Sequence, residues 1–358
     1  MMTFSKNKSI VYIIPSLNIG GTEKHLLNLA TSMSNKYNVE IICLEQKGLL
    51  FSNLSKKIKF TNLRSNRFKY NPSKYFFLIF QLWKILKSKE SIFHFFLPKA
   101  YLLAGTICIL QKKRRLIMSR RSTNYYQKKY FFAKLWEKFL HKKMKYILVN
   151  SNNLRDQLIC DEGVDKNKII EIKNGVKKIK YNRKVRNNDK AKIKDKEDFV
   201  KNNIIVCLAN LIPYKGHVHL IKSLSVLNKS FKKWKLLIIG DGDKKYKSQL
   251  KDLVKNLNLQ NKILFKGVQI DPEKFLLHAK LGILLSDHEG SSNAIIEYMN
   301  CSLPVITSDS GNVGEILENK SNGYIVDQKD YQGIANLIKK ILIENLESKR
   351  IGENNKKK

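Results

Sequence analysis

The chain has 358 residues, 43% hydrophobic and 10% aromatic, enough apolar mass for two ordinary globular domains and too much for a disordered polymer. With 68 Lys and Arg against 30 Asp and Glu it carries a net charge of +38. Such a polycation calls for an anionic partner, either a phospholipid surface or a nucleic acid.

The charge is uneven. Residues 51–150 hold 24 basic residues and only two acids, Glu90 and Glu137, a net +22. A chain rich in Lys, Asn and Ile also reflects an AT-rich coding sequence, but codon bias explains the unevenness less well. No nucleic-acid reading module is recognisable, so a basic nucleic-acid-binding protein is the weaker alternative and no specific nucleic-acid partner is expected.

In chain order, "KSIVYIIPSL" opens with an apolar run that ends at Pro15 and lacks a signal-peptide cleavage site. Strands are predicted at 9–16, 39–45, 91–97, 115–120, 146–151 and 169–176, with helices at 22–37 and 72–89 between them. The run "SIFHFFLPKAYLLAGTICIL" (91–110) is interrupted by His94, Pro98 and Lys99, short of the ~20 apolar residues of a membrane span. In "YYQKKYFFAKLWEKFLHKKMKY" (125–146) two readings stay open. A domain helix there buries Phe131, Leu135 and Phe139, while aromatics beside lysines also suit a membrane interface.

Residues 177–203 are charge-dense and read as a linker. Strand and helix then alternate again, with strands predicted at 204–211, 234–242, 262–267, 281–287, 304–309 and 323–327. The expected architecture is α/β, two doubly wound Rossmann-like domains facing across a cleft: 1–176, the linker 177–203, 204–345, and a polar tail at 346–358. Five scattered cysteines without metal or redox spacing fit reduced thiols in a cytosolic protein.

The stretch "SDHEGSSNAIIEYMNCSLPVI" (286–306) puts two glutamates around a turn between a buried strand and a helix. Gly290 permits close backbone approach, Ser292 or Asn293 can cap the helix, and its free amides favour a phosphate. Glu289 and Glu297 suit hydroxyl groups rather than the phosphate, so a nucleotide sugar satisfies the whole set. Turn chemistry and the helix dipole also account for the two acids without a ligand. "GDGD" (240–243) matches a metal-binding spacing, yet it falls in a strand-to-helix turn where Gly and Asp need no cation. No metal and no cofactor are expected.

"EGSSNAIIEYMNCSLPVI" resembles the glutamate-seven-residues-glutamate signature of glycosyltransferase family 4, retaining enzymes of the GT-B fold. "IPSLNIGGTEKHLLNLA" (14–30), "NSNNLRDQLICDEGVDKNKIIEIKNGV" (150–176), "NLIPYKGH" (210–217), "IIGDGD" (238–243) and "SDSGNVGEIL" (308–317) resemble further blocks of that family, in order. The resemblance implies that Glu289 holds the donor sugar, Glu297 the ribose, and Lys215 the diphosphate leaving group. Gly290, Ser291, Ser292 and Asn293 would face sugar and diphosphate, and Gly20 and Gly21 would approach the leaving phosphate.

Two positions depart from the family. Asn210 stands where an arginine is usual, with Arg120 or Arg121 as replacement cations. His94 matches the first of a histidine pair, and Phe96 stands in place of the second. The resemblance implies retaining transfer from a nucleotide-sugar donor to a glycan or polyprenyl-diphosphate-linked acceptor. It implies surface-polysaccharide or lipopolysaccharide assembly, at the inner face of the cytoplasmic membrane, with the protein bound peripherally to an anionic surface. A GT-B-fold nucleotide-sugar epimerase is the alternative within the same fold.

Overall fold

The structure is a computed structural model that describes residues 8–63, 72–123, 127, 131–175, 202–344 and 350–355. The chain divides into two compact units, Met1–Asn174 and Gly175–Lys358. All but the last two residues of the expected linker 177–203 lie outside the described residues.

Unit one contains β1 (Ser9–Ile14), β2 (Asn38–Cys43), β3 (Lys59–Asn62), β4 (Ile92–Phe96), β5 (Leu116–Arg120), β6 (Tyr146–Val149) and β7 (Ile169–Glu171). They form one parallel sheet in the order β3-β2-β1-β4-β5-β6-β7. Strands covered on both faces must be apolar on both, and β1 meets that demand. Val11 and Ile13 enter one core layer, while Ile10, Tyr12 and Ile14 enter the other. β3 falls outside the predicted strands. Its Lys-Phe-Thr-Asn run sits on the sheet edge with no fully buried residue, so no apolar run marks it.

The helices of this unit are α1 (Gly21–Met33), α2 (Pro72–Lys87), α3 (98–110, with a π turn at Tyr101–Gly105), α4 (Phe131–Lys143) and α5 (Asn152–Cys160). The run 91–110 is therefore β4 followed by α3. Among the described residues no helix is long and apolar enough to cross a membrane.

The reading of α4 as a helix that buries Phe131, Leu135 and Phe139 is corrected: all three are exposed, and the buried face carries Glu137, Leu140 and His141. The cause lies at the end of β5. Arg120, 2% exposed, needs counter-charges inside the unit. Its Nη1 donates to Glu137 Oε1 at 2.7 Å and its Nη2 to Glu162 Oε1. Gln127 Nε2 donates to Glu137 Oε2 at 2.7 Å and to Glu162 Oε2 at 3.1 Å. His141 Nε2 donates to Glu162 Oε2 at 2.8 Å, while its Nδ1 meets Tyr101 Oη at 2.8 Å. Glu137, His141 and Glu162 lie close enough together to hold a cation, and the Arg120 guanidinium supplies one.

Unit two contains β8 (Asn203–Leu208), β9 (Trp234–Ile239), β10 (Ile263–Gly267), β11 (Leu281–Leu284), β12 (Val305–Ser308) and β13 (Tyr324–Val326), all parallel in the order β10-β9-β8-β11-β12-β13. Its helices are α6 (His217–Ser230), α7 (Lys244–Asn256), α8 (Glu273–Leu276), α9 (Asn293–Asn300), α10 (Val313–Ile316) and α11 (Tyr331–Ile343). Part of the expected polar tail is built into this unit. Residues 350–355 form a helical turn that buries Ile351, and Asn355 Nδ2 donates to Leu303 O at 2.7 Å.

Candidate functional site

In unit two the strand order reverses between β8 and β11, the switch point beyond which open α/β sheets bind ligands. The loops leaving these two strands interlock there. After β8 comes a 3-10 turn, Pro213–Lys215, ended by Gly216 at φ 71°. A Cβ on Gly216 would lie 1.7 Å from Leu285 O, so only glycine lets this loop press against the end of β11. Asp287 N donates to Tyr214 O at 2.8 Å and closes the contact.

That packing brings Lys215 and Glu289 together. Lys215 Nζ lies 2.6 Å from Glu289 Oε1, with the lysine side chain 18% exposed and the glutamate 9%. Ser286 Oγ donates to the same Oε1 at 2.8 Å, and Ser286 O accepts from Ser308 Oγ at 2.5 Å. The loop after β12 joins through Gly311, at φ 64°, where a Cβ would meet Glu289 O at 2.5 Å. Asn312 Nδ2 also donates to Ser291 Oγ at 3.1 Å. The acid is thus held by side chains or backbone from three strand-end loops.

Gly290 and Ser292 are buried, and Ser291 and Asn293 partly so. Ser292 occupies the cap position of α9, but no side-chain cap hydrogen bond forms there. Glu297 lies four residues beyond Asn293, past the first turn, so the helix dipole does not account for it. Its neighbour Tyr298 fixes the helix against the sheet. Tyr298 Oη accepts from Leu208 N at 2.6 Å, and its ring lies where a Cβ on Gly282 would approach to 2.4 Å. Asn210 is exposed just past β8.

The carboxylates of "GDGD" have other partners. Asp243 Oδ1 caps α7 by accepting from Lys245 N at 2.9 Å and Tyr246 N at 3.1 Å. Asp241 Oδ1 accepts from Gly242 N at 2.9 Å and Lys247 Nζ at 3.0 Å.

In unit one the remaining candidates gather at the carboxyl edge of the sheet, around its own switch point between β1 and β4. Gly20 caps α1, and a Cβ there would lie 2.3 Å from Glu23 Oε2; Gly21 opens the helix. The missing side chain makes room for Glu23 to fold back over its own helix start. Burial pushes the Glu23 carboxyl up to about 7, against a backbone hydrogen bond that lowers it. His94 Nε2 lies 2.8 Å from Ser119 Oγ, and its ring packs against Phe96 with centroids 4.4 Å apart. Burial lowers His94 to about 3, with His25 and Arg121 adding to the effect. Phe96 is itself a core residue.

The neighbours Arg120 and Arg121 part company. Arg120 belongs to the internal network beneath α4. Arg121, lowered to about 10 by burial, donates to Asn174 Oδ1, which also accepts from Asn150 Nδ2 at 3.2 Å. His25, Ser119, Asn150 and Asn174 in this unit, with Ser286, Ser308, Gly311 and Asn312 in the other, were not singled out from sequence. Their one shared signal is position, since most of them sit within a few residues of a strand's carboxyl end.

Profiles of two known families match the chain. "Glycosyltransferase Family 4" matches residues 19–178, and "Glycosyl transferases group 1" matches residues 189–358. An uncharacterised glycosyltransferase of Methanocaldococcus jannaschii is 36% identical over 106 residues, 30% of this chain and 26% of that relative. The N-acetylgalactosamine-N,N'-diacetylbacillosaminyl-diphospho-undecaprenol 4-alpha-N-acetylgalactosaminyltransferase of Campylobacter jejuni is 26% identical over 343 residues, 91% of this chain and 88% of the relative. The solved structure of Anabaena Alr3699/HepE in complex with UDP-glucose superposes with a TM-score of 0.82 at 18% identity, over 98% of this chain and 93% of that one. The two parallel sheets with their strand orders, the interlocked loops at the second switch point and these matches along nearly the whole chain agree: the chain is a GT-B-fold glycosyltransferase related to the group 1 and family 4 enzymes.

Proposed function

We propose that the chain moves a sugar, with retained anomeric configuration, from a nucleotide-sugar donor to a hydroxyl of a growing surface glycan. The acceptor in this reading is carried on a polyprenyl diphosphate at an anionic membrane face. The observation that carries it is the Lys215–Glu289 contact at the switch point of unit two. A cation and a carboxylate on adjoining loops suit a ligand that offers an anion to one and hydroxyls to the other, as a sugar diphosphate does. The Campylobacter relative, named for a diphospho-undecaprenol substrate, supports the acceptor class.

Each residue then has a role. Glu289 accepts from donor-sugar hydroxyls, and Glu297 from the ribose. Lys215 neutralises the departing diphosphate, aided by the amides of Gly290 to Asn293. The approach of Gly20 and Gly21 to that phosphate is part of the same reading, as is Arg121 rather than Arg120 in place of the arginine missing at Asn210. His94, held by Ser119 and neutral well below pH 7, acts as a polar uncharged surface toward the sugar. The departing phosphate takes the acceptor's proton, so the protein's part is positioning and charge stabilisation.

Glu289→Gln is expected to lower kcat while leaving the melting temperature within a few degrees of the parent, and Glu297→Ala to raise the donor KM. Wild-type turnover by both variants in a coupled nucleotide-release assay would remove the assignment. Retention is read from the anomeric coupling of the product by NMR, where an inverted centre rejects it. Activity is expected to persist in EDTA, because Asp241 and Asp243 already have donors. Complete loss restored by Mn²⁺ would return "GDGD" to the metal-binding class.

A further inference from the structure

The outward faces of α2 and α4 are apolar where a surface helix is ordinarily polar. On α4, Phe131, Phe132, Leu135, Trp136 and Phe139 are all exposed, Phe132 at 84%. On α2, Leu78, Leu82 and Leu86 form a narrow buried stripe, while Phe76, Phe77 and Phe80 stand outside it, Phe76 at 79%. The two helices belong to one layer. Both pack on α3 over the same core, with Trp136 Nε1 donating to Thr106 Oγ1 at 2.9 Å and Gln111 Nε2 to Trp83 O at 2.8 Å. Singly exposed hydrophobes need no explanation, but runs of bulky aromatics on two helices that flank α3 in one layer mark an interaction face.

Charge selects the partner. The aromatic band of α4 is flanked by Lys134 and Lys138 and ends at the exposed Lys142 and Lys143, with Lys143 Nζ 5.9 Å from the Phe139 ring centroid. The surrounding sequence 51–150 carries +22. Aromatics bordered by lysines match an anionic bilayer, where rings enter the acyl boundary and ammonium groups stay among headgroup phosphates. A purely electrostatic anchor would not require the rings, and an apolar protein partner would not require the charge.

We propose that the outer faces of α2 and α4 form one membrane-docking surface, inserting phenylalanine and tryptophan side chains into an anionic phospholipid leaflet. This rests on the reading of the chain as an enzyme with a lipid-linked acceptor, and adds where the lipid is met. In a parallel sheet each connecting helix starts at the carboxyl edge, so the aromatic first halves of α2 and α4 adjoin the edge that carries His94 and Arg121. A docked unit one therefore holds that edge at headgroup depth, where the diphosphate of a lipid-linked acceptor lies.

The test is sedimentation of the full chain with vesicles of phosphatidylglycerol and phosphatidylethanolamine, or of phosphatidylcholine alone, at 0.1 M and 1 M NaCl. The Debye length falls from ~10 Å to ~3 Å between those salts, which strips the electrostatic share of binding and leaves the apolar share. The parent protein is expected to pellet with anionic vesicles and to keep a measurable fraction bound at 1 M. The triple variant Phe76→Ser, Phe80→Ser, Phe132→Ser, all at exposed positions, is expected to bind roughly 100-fold more weakly and to leave no salt-resistant fraction. Lys142→Gln with Lys143→Gln is expected to weaken binding only at low salt. Brominated acyl chains should quench Trp136, with the quenching lost in Trp136→Phe.

Absence of pelleting, or parent-like pelleting by the triple variant, overturns the proposal. So does a parent that sediments as a dimer without vesicles and ignores them, which would give the face to a second copy. A UDP-induced melting shift in the triple variant separates this outcome from failure of the enzymatic reading. Absence of that shift in the parent, with its vesicle binding intact, would sink the donor assignment and leave the docking surface standing.

Discussion

Lys215→Ala is expected to lower kcat by roughly 10²–10³-fold, the scale on which removal of one preorganised contact to developing negative charge is felt. The effect should be large because the usual arginine is replaced by Asn210, which carries no charge. On the proposed reading, Lys215 is then the main cation that this loop offers the departing diphosphate. Lys215→Arg should recover only part of the rate, since the longer planar group does not reproduce a compact ammonium 2.6 Å from Glu289. Rapid-quench measurement of the chemical step separates this loss from slow product release. A variant within threefold of the parent in that step would remove Lys215 from the leaving-group role.

The second large effect concerns stability. Arg120→Ala strands Glu137 and Glu162, both fully buried side chains, without their guanidinium. Removing one partner of a buried ion pair costs about 3–5 kcal/mol, so the variant should unfold at markedly lower urea or fail to accumulate. Replacing the group together, with Met at 120 and Gln at 137 and 162, should restore much of the loss, because no buried charge is then left over.

The same network has a pH signature. Burial pushes the Glu162 carboxyl up, but the hydrogen bond from His141 and the charge of Arg120 outweigh it and bring the group to about 2. A carboxyl lowered on folding adds stability that is complete above its unfolded value, near 4, and is lost as pH falls through about 2. Urea midpoints of the parent should therefore drop over that interval more steeply than those of the triply replaced protein. Parallel pH profiles would show that the network contributes no linked stability.

The sequence disclosed most where burial makes a long demand on it. Strands such as β1 and β9 are apolar on both faces and stand out, whereas the edge strand β3 is short and polar enough to pass for a loop. The neighbourhood of Glu289 was legible because a contiguous motif builds it. Its holders Ser286, Ser308 and Gly311 were not, since they act across the chain and carry common residue types. Helix α4 was misread because periodicity assigns the apolar stripe to the inside. Which stripe faces inward was decided by Arg120, a residue eleven positions before the helix begins.

The Lys215–Glu289 contact bears also on selectivity. A bare phosphate can draw the lysine away only by leaving a carboxylate, 9% exposed, with Ser286 as its remaining side-chain donor. A free sugar can approach the acid only in competition with the ammonium already bound there. A molecule carrying anion and hydroxyls at the right separation replaces both halves of the contact in one event. On the proposed donor-binding roles, the pair would act as a coincidence gate, admitting intact donor while discounting each fragment and letting the spent nucleotide leave once the sugar is gone.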